Sequence, residues 1–151
     1  MKIRKLFILL SLCLMMIACS NERKPIKYGE DQCDYCSMAI VKKTHAAQLV
    51  TNKGKQYKYD AIECMINHKH ENPSKFKNAL FFIANYSNPG EMVNAKKATY
   101  LISKELPSPM GANLTGFKDS VQAKKIQEKK SGKLYNWLEL LNDVNFSQPN
   151  K

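Results

Sequence analysis

Polar and apolar positions along the chain fall into blocks, and the blocks differ in period. Leu6 to Ala18 is an almost unbroken apolar run of thirteen residues, preceded by Lys2, Arg4 and Lys5. Ser20 to Gly29 is polar, carries Pro25 and shows no periodicity. From His45 to Asn52 the pattern predicts a strand, Lys53-Gly54 a turn, and Lys55 to Tyr59 the returning strand. Asp60-Ala61-Ile62-Glu63 has the spacing of a capping box, with Asp60 as N-cap and Glu63 at the third helical position. A helix from Ala61 to about His70 should follow, ending before Pro73. Together these segments read as a ββα unit.

The second half repeats the grammar. Ala79 to Tyr86, Ala98 to Ser103 and Leu114 to Lys118 are apolar, β-branched or aromatic runs that predict strands. Asp119-Ser120-Val121-Gln122 is again a capping-box pattern, opening a helix to about Lys130 with Gly132 behind it. Trp137 to Asn142 predicts a last short helix. The expected fold class is α+β, with two small ββα modules behind an N-terminal tether. The expected divisions are 1–18, 19–29 (tether), 30–74 (first module), 75–144 (second module) and 145–151 (tail).

The apolar run changes the picture of where the protein works. Thirteen residues are too few to span a bilayer, which takes about 20. A basic start followed by a short apolar core predicts a signal peptide over residues 1–18. Its end, Met16-Ile17-Ala18-Cys19, resembles a lipobox, which implies a lipid on Cys19 and a cell-envelope protein facing the periplasm. Several acyl chains at ~0.8 kcal/mol per buried CH₂ make such anchoring durable.

Charge adds less. The whole chain has 24 basic and 13 acidic residues, a net +11. Without Lys2, Arg4 and Lys5, twenty-one basic residues stand against the same thirteen acids, a net +8. The lysines are scattered in pairs and not interleaved with aromatics in one block, which argues against nucleic-acid binding. A solvated basic surface suffices, one able to steer the protein toward an acidic partner.

Sulfur is the informative element. The mature chain keeps Cys19, Cys33, Cys36 and Cys64. Apart from the lipid-bearing Cys19 that is three thiols, an odd number for an oxidising compartment, where structural cysteines pair. Cys33-Asp34-Tyr35-Cys36-Ser37-Met38 offers two thiolates and a thioether within six residues. These are soft donors that suit Cu(I). Structural zinc is closed by four ligands, and no second Cys or His pair accompanies the motif. A thioredoxin-like pair opens a helix after a strand, whereas this motif precedes every predicted strand. No Lys or His lies beside the two cysteines to lower a thiol pKa. A Cys33–Cys36 staple is the remaining alternative. Met110, between Pro109 and Gly111 on a loop, is a second thioether candidate or a gap-filling side chain. Cys64 shares a helix face with His68 at i+4. The two are either auxiliary ligands or, for Cys64, a small buried packing residue. His45 and His70 read as surface residues.

These motifs, in this order, resemble the NosL family. The shared features are Glu30-Asp31, Cys33-x-x-Cys36-x-Met38, Tyr59-Asp60-Ala-Ile-Glu-Cys64-Met65, and Pro109-Met110-Gly111 ahead of a helix and Gly132-Lys-Leu. The resemblance spans nearly the whole mature chain. It implies two ββα modules similar to part of the organomercurial lyase MerB, and a lipid-anchored Cu(I) chaperone rather than an enzyme. It also implies Cys33, Cys36, Met38 and Met110 as copper donors. The implied acceptors are a NosDFY-type transporter or apo nitrous oxide reductase. The rival classes are a thiol-disulfide oxidoreductase, a MerB-like lyase, and a soft-metal-binding or purely protein-binding lipoprotein. Likeness to a lyase in fold does not by itself imply its activity.

Overall fold

The computed structural model describes residues 23–146. The expected signal peptide, Cys19 and residues 147–151 lie outside the described residues. Strands β1 (Ala47–Val50) and β2 (Gln56–Tyr59) form an antiparallel hairpin, followed by helix α1 (Ile62–Glu71). Strand β3 (Leu80–Ala84) pairs with β1, and β4 (Met92–Asn94) with β3, giving the sheet order β2-β1-β3-β4. A second antiparallel sheet, β6-β5-β7, is built from β5 (Thr99–Ile102), β6 (Leu114–Phe117) and β7 (Lys133–Tyr135). Helix α2 (Ser120–Lys130) follows β6, and α3 (Trp137–Asp143) follows β7. The architecture is the expected α+β class.

Both ββα units are present, each enlarged by strands from beyond its helix. The Leu80–Ala84 strand, read as opening the second half, joins the first sheet, with Ile83 opposite Ala47. Its side chains are apolar on both faces, with Phe81 and Ile83 buried on one and Phe82 half-buried on the other. Such a strand suits the interior of a sheet rather than an edge. Short β4 and β7 carry little apolar periodicity of their own, and tertiary pairing makes them strands.

The first sheet meets the second at Gly116. A Cβ there would fall 2.1 Å from Ile83 Cδ1. Tyr86 N–H donates to the Gly116 carbonyl at 2.9 Å, tying the two layers. Helix α1 packs against β1, β2 and β6, and its first five residues, Ile62 to Ile66, are all buried. That half of the helix is enclosed on every side, so anything it carries is held rigidly.

Order begins earlier than the composition of the tether suggests. Lys24 N–H donates to Gln56 Oε1 at 2.8 Å, and Gln48 Nε2 donates to the Lys24 carbonyl at 2.9 Å. Ile26 is buried beneath this arm. Polar residues 23–29 therefore cover a sheet face by lending it their backbone groups, which no hydrophobic pattern announces.

His45 is also inside, not on the surface. It is 5% exposed, with Thr44 Oγ1 2.8 Å from Nδ1 and Thr115 Oγ1 3.5 Å from Nε2. Burial, helped by Lys42, pushes its pKa down to about 4. The native state thus excludes the protonated ring, while the unfolded chain binds that proton below about pH 6.5. Stability is intact above that pH and falls as pH drops toward 4, by about 2–3 kcal/mol from this residue. Denaturant titrations of wild type and His45→Gln across that window should show the variant with the shallower decline. Parallel declines would mean that His45 protonates without cost.

Candidate metal centre

A short loop and the start of α1 build the site. Cys33 N–H donates to the Met38 carbonyl at 2.8 Å, and Ser37 N–H to the Cys33 carbonyl at 2.9 Å. Ser37 accordingly takes a left-handed φ of 65°. Asp34 fastens this turn to the edge of β2: its N–H donates to the Lys58 carbonyl at 2.8 Å, and Lys58 N–H to its carboxylate at 2.6 Å. Lys58 Nζ also pairs with Asp31 at 2.5 Å. Cys33 is thereby held at the C-terminal end of β2, where the chain passes through Asp60 into α1.

There the sulfurs converge. The Sγ atoms of Cys33, Cys36 and Cys64 and one carboxylate oxygen of Asp60 all lie within 4.8 Å of one another. A metal–sulfur bond is about 2.3 Å, so two donors on one ion stand at most ~4.6 Å apart. The four atoms need move only slightly to share an ion. Cys33 and Cys64 are buried and Cys36 is half-buried, so the group opens toward solvent on the Cys36 side.

Cys33 is the hub. A hydrogen bond from the Cys64 thiol, with others from the backbone N–H groups of Cys36, Asp60 and Tyr35, outweighs burial and lowers its pKa to about 7. The low thiol pKa that no flanking Lys or His supplies thus arises from backbone and thiol donors. Burial, with Cys33 and Asp60 nearby, pushes Cys36 up to about 12. Cys64 is driven upward too, first by the proton it gives Cys33 and then by burial. Cys33 is thus the thiol that gives up its proton most readily, and a metal must displace the protons of the other two. Cys36 Sγ–H donates to Asp60 Oδ1 at 3.4 Å, while the buried Asp60 Oδ2 has no hydrogen-bond partner among the described residues. An unpaired buried carboxylate oxygen beside three sulfurs fits a cation.

Against this geometry the comparisons can be stated. The NosL family model matches residues 26–145. The chain belongs to the NosL family. Among solved structures, the crystal structure of the copper chaperone NosL from Shewanella denitrificans superposes with a TM-score of 0.70. It is 18% identical in sequence, and the match covers 82% of this chain and 98% of that one. A search of curated protein sequences returned no match.

In this NosL-family chain the residues singled out from sequence are distributed unevenly. Cys33 and Cys36 are in the cluster. Cys64, which admitted a packing or a ligating reading, is both fully buried and within the cluster. Met38 closes the loop through its carbonyl, and its side chain is 49% exposed. Met110 lines a cavity of about 530 Å³ together with Cys64, Glu63 and Asn67, so it faces the same helix turn from the other sheet. His68 is turned elsewhere. Its Nδ1 lies 2.9 Å from the Tyr59 hydroxyl, and its ring sits among Tyr35, Tyr57, Tyr59 and Phe76. It is not among the four clustered donors.

Asp60 is the residue that sequence reasoning misassigned. It is not the N-cap: Ala61 occupies that position without a side-chain cap bond, and the helix starts at Ile62. The Glu63 carboxylate accepts instead from the Ser108 hydroxyl, across 45 residues. The Asp-x-x-Glu spacing satisfied a local rule while the side chains served tertiary contacts. The available signal was Asp60 and Cys64 at i and i+4 in one motif. By contrast Asp119 does cap α2, accepting from Gln122 N–H at 2.9 Å.

Proposed function

We propose that this protein binds Cu(I) through Cys33, Cys36 and Cys64 and delivers it for maturation of nitrous oxide reductase. The observation that carries the reading is the convergence of three thiols within 4.8 Å, two from the Cys33–Cys36 loop and one from the first turn of α1. Three sulfurs suit a soft monovalent ion, and Asp60 stands beside them as a harder oxygen donor. The family membership and the structural likeness to a copper chaperone support the same metal.

Transfer follows from the asymmetry of the site. Cys33 and Cys64 are buried and positioned by backbone, whereas Cys36 is reached from outside. An acceptor ligand enters beside Cys36 and replaces its bond to copper first; further acceptor ligands replace the bonds to Cys33 and Cys64, and the freed thiolates take up protons from solvent. Met38, exposed two residues beyond Cys36, and Met110, on the cavity side of Cys64, are thioethers that add to the hold on bound and partly transferred copper. The acceptor is a NosDFY-type transporter or the apo reductase itself.

Zinc is the second reading, favoured by one observation. Sequence offers no second ligand pair, yet folding brings Cys64 and Asp60 to Cys33 and Cys36, a four-donor set that zinc accepts. Reduced protein should bind one Cu(I) per chain and retain it against equimolar Zn(II), measured anaerobically with a competing chelator. Zinc displacing copper under those conditions would reverse the assignment.

The location proposed is the periplasmic side of the cell envelope, through a lipid on Cys19. Cys19→Ala should abolish labelling by a palmitate analogue and release the protein from membranes. Persistent labelling in that variant would refute the anchor.

A further inference from the structure

At the end of the first sheet opposite the metal centre, the β1–β2 turn and the loop after α1 enclose a cleft of about 420 Å³. Its lining is Lys53, Lys55 and Lys75, with Thr51, Asn52, Ser74 and Tyr57, and includes no acid. Lys55 and Lys75 converge on Tyr57, their Nζ atoms 5.0 and 4.8 Å from the ring centroid. The ion pairs among the described residues use Lys27, Lys58, Lys118 and Lys130, and none of the cleft lysines. Three ammonium groups around neutral donors, without a carboxylate, form a concave surface that fits an anion.

The course of the chain says what that anion is. The N-terminal arm crosses the other face of the same short sheet, Lys24 bonding both Gln56 and Gln48 and Arg23 reaching Gln48 and Phe82. It then runs along β2 to Asp31 and Asp34 beside Lys58, toward the cysteines. Cys19 precedes Arg23 by four residues, so it lies within about 14 Å of it. From Gln56 to Asp60 the strand carries the metal centre about 13 Å the other way. We propose that the Lys53/Lys55/Lys75 cleft seats the phosphate of anionic phospholipid headgroups, fixing the protein on the membrane with its metal centre pointing away. The proposal rests on the anchoring reading for its orientation, but the cleft binds headgroups whether or not Cys19 is acylated.

The test uses the mature chain carrying Cys19→Ala, so that no lipid contributes. Cosedimentation should show binding to vesicles of phosphatidylglycerol and phosphatidylcholine in equal parts, weakened by salt, and none to phosphatidylcholine alone. Each lysine near such a surface contributes about a factor of five. Lys53→Gln/Lys55→Gln/Lys75→Gln should therefore lose about a hundredfold. Lys124→Gln/Lys125→Gln/Lys129→Gln on α2, with the same net charge, should lose far less. Equal losses would reduce the effect to net charge and overturn the cleft. So would dependence on the cleft lysines for polyglutamate but not for vesicles, which would mark an acidic protein as the occupant. Absence of vesicle binding together with normal Cys19 acylation of the wild type would remove the headgroup site and leave the anchor standing.

Discussion

Cys33→Ser is expected to abolish stable Cu(I) binding while leaving the fold in place. The loop is held by the Cys33 N–H and carbonyl, which serine retains, so the turn to Met38 survives. What disappears is the thiolate that receives the Cys64 hydrogen bond and three backbone N–H groups. Serine oxygen is a hard donor that Cu(I) does not favour. Loss of a supporting partner around a metal costs about 10–100-fold in affinity, and loss of this central ligand should exceed that. Cys64→Ser should also weaken binding strongly, since its sulfur is in the group. His68→Ala should change affinity little, because its Nδ1 is committed to Tyr59. The measurement is anaerobic chelator competition on the three variants, with circular dichroism to verify the fold. Wild-type affinity in Cys33→Ser would place the copper elsewhere.

The second large effect is redox. Any disulfide among Cys33, Cys36 and Cys64 consumes two of the three clustered sulfurs, and all three are free thiols in this structure. The oxidised form retains one thiol, Asp60 and the thioethers of Met38 and Met110. It should hold Cu(I) at least about a hundredfold more weakly, given that soft thiolates carry the affinity. Bound copper should in turn slow oxidation, because it occupies the sulfurs that must meet. Met38→Ala and Met110→Ala should each weaken binding without altering the number of titratable thiols. Chelator competition on oxidised and reduced protein, with thiols counted in parallel, decides the matter. Equal affinity in both states would make the cysteines a structural staple and refute the site.

Local chemistry announces itself locally. The apolar, β-branched and aromatic runs between His45 and Tyr59 and between Ala98 and Lys118 located both antiparallel pairs to within a few residues. The Asp119 cap starts α2 as its spacing dictates, and α3 begins at Trp137 where a last short helix is expected. Cys33-x-x-Cys36 declared itself by donor type, since two thiols so close in sequence cannot be far apart in space. Family membership followed from the same short motifs.

Other features depended on what residues distant in sequence do to one another. Cys64 and Asp60 reach the Cys33 loop only because Asp34 and Asp31 fasten that loop to Lys58 on β2. A capping box and two side chains committed to tertiary contacts look identical in one dimension, and Cys36 and Ser108, the long-range partners of Asp60 and Glu63, decided between them. His45 is buried because β6 brings Thr115 to it across 70 residues. The order of the 23–29 arm, the pairing of β3 with β1 and the clustering of three basic residues at one sheet end have the same origin. Periodicity reports which face of an element seeks burial, and donor type reports which metal a residue prefers. Which faces and donors meet is set by packing and hydrogen-bond satisfaction over the whole chain, a quantity that no local window contains.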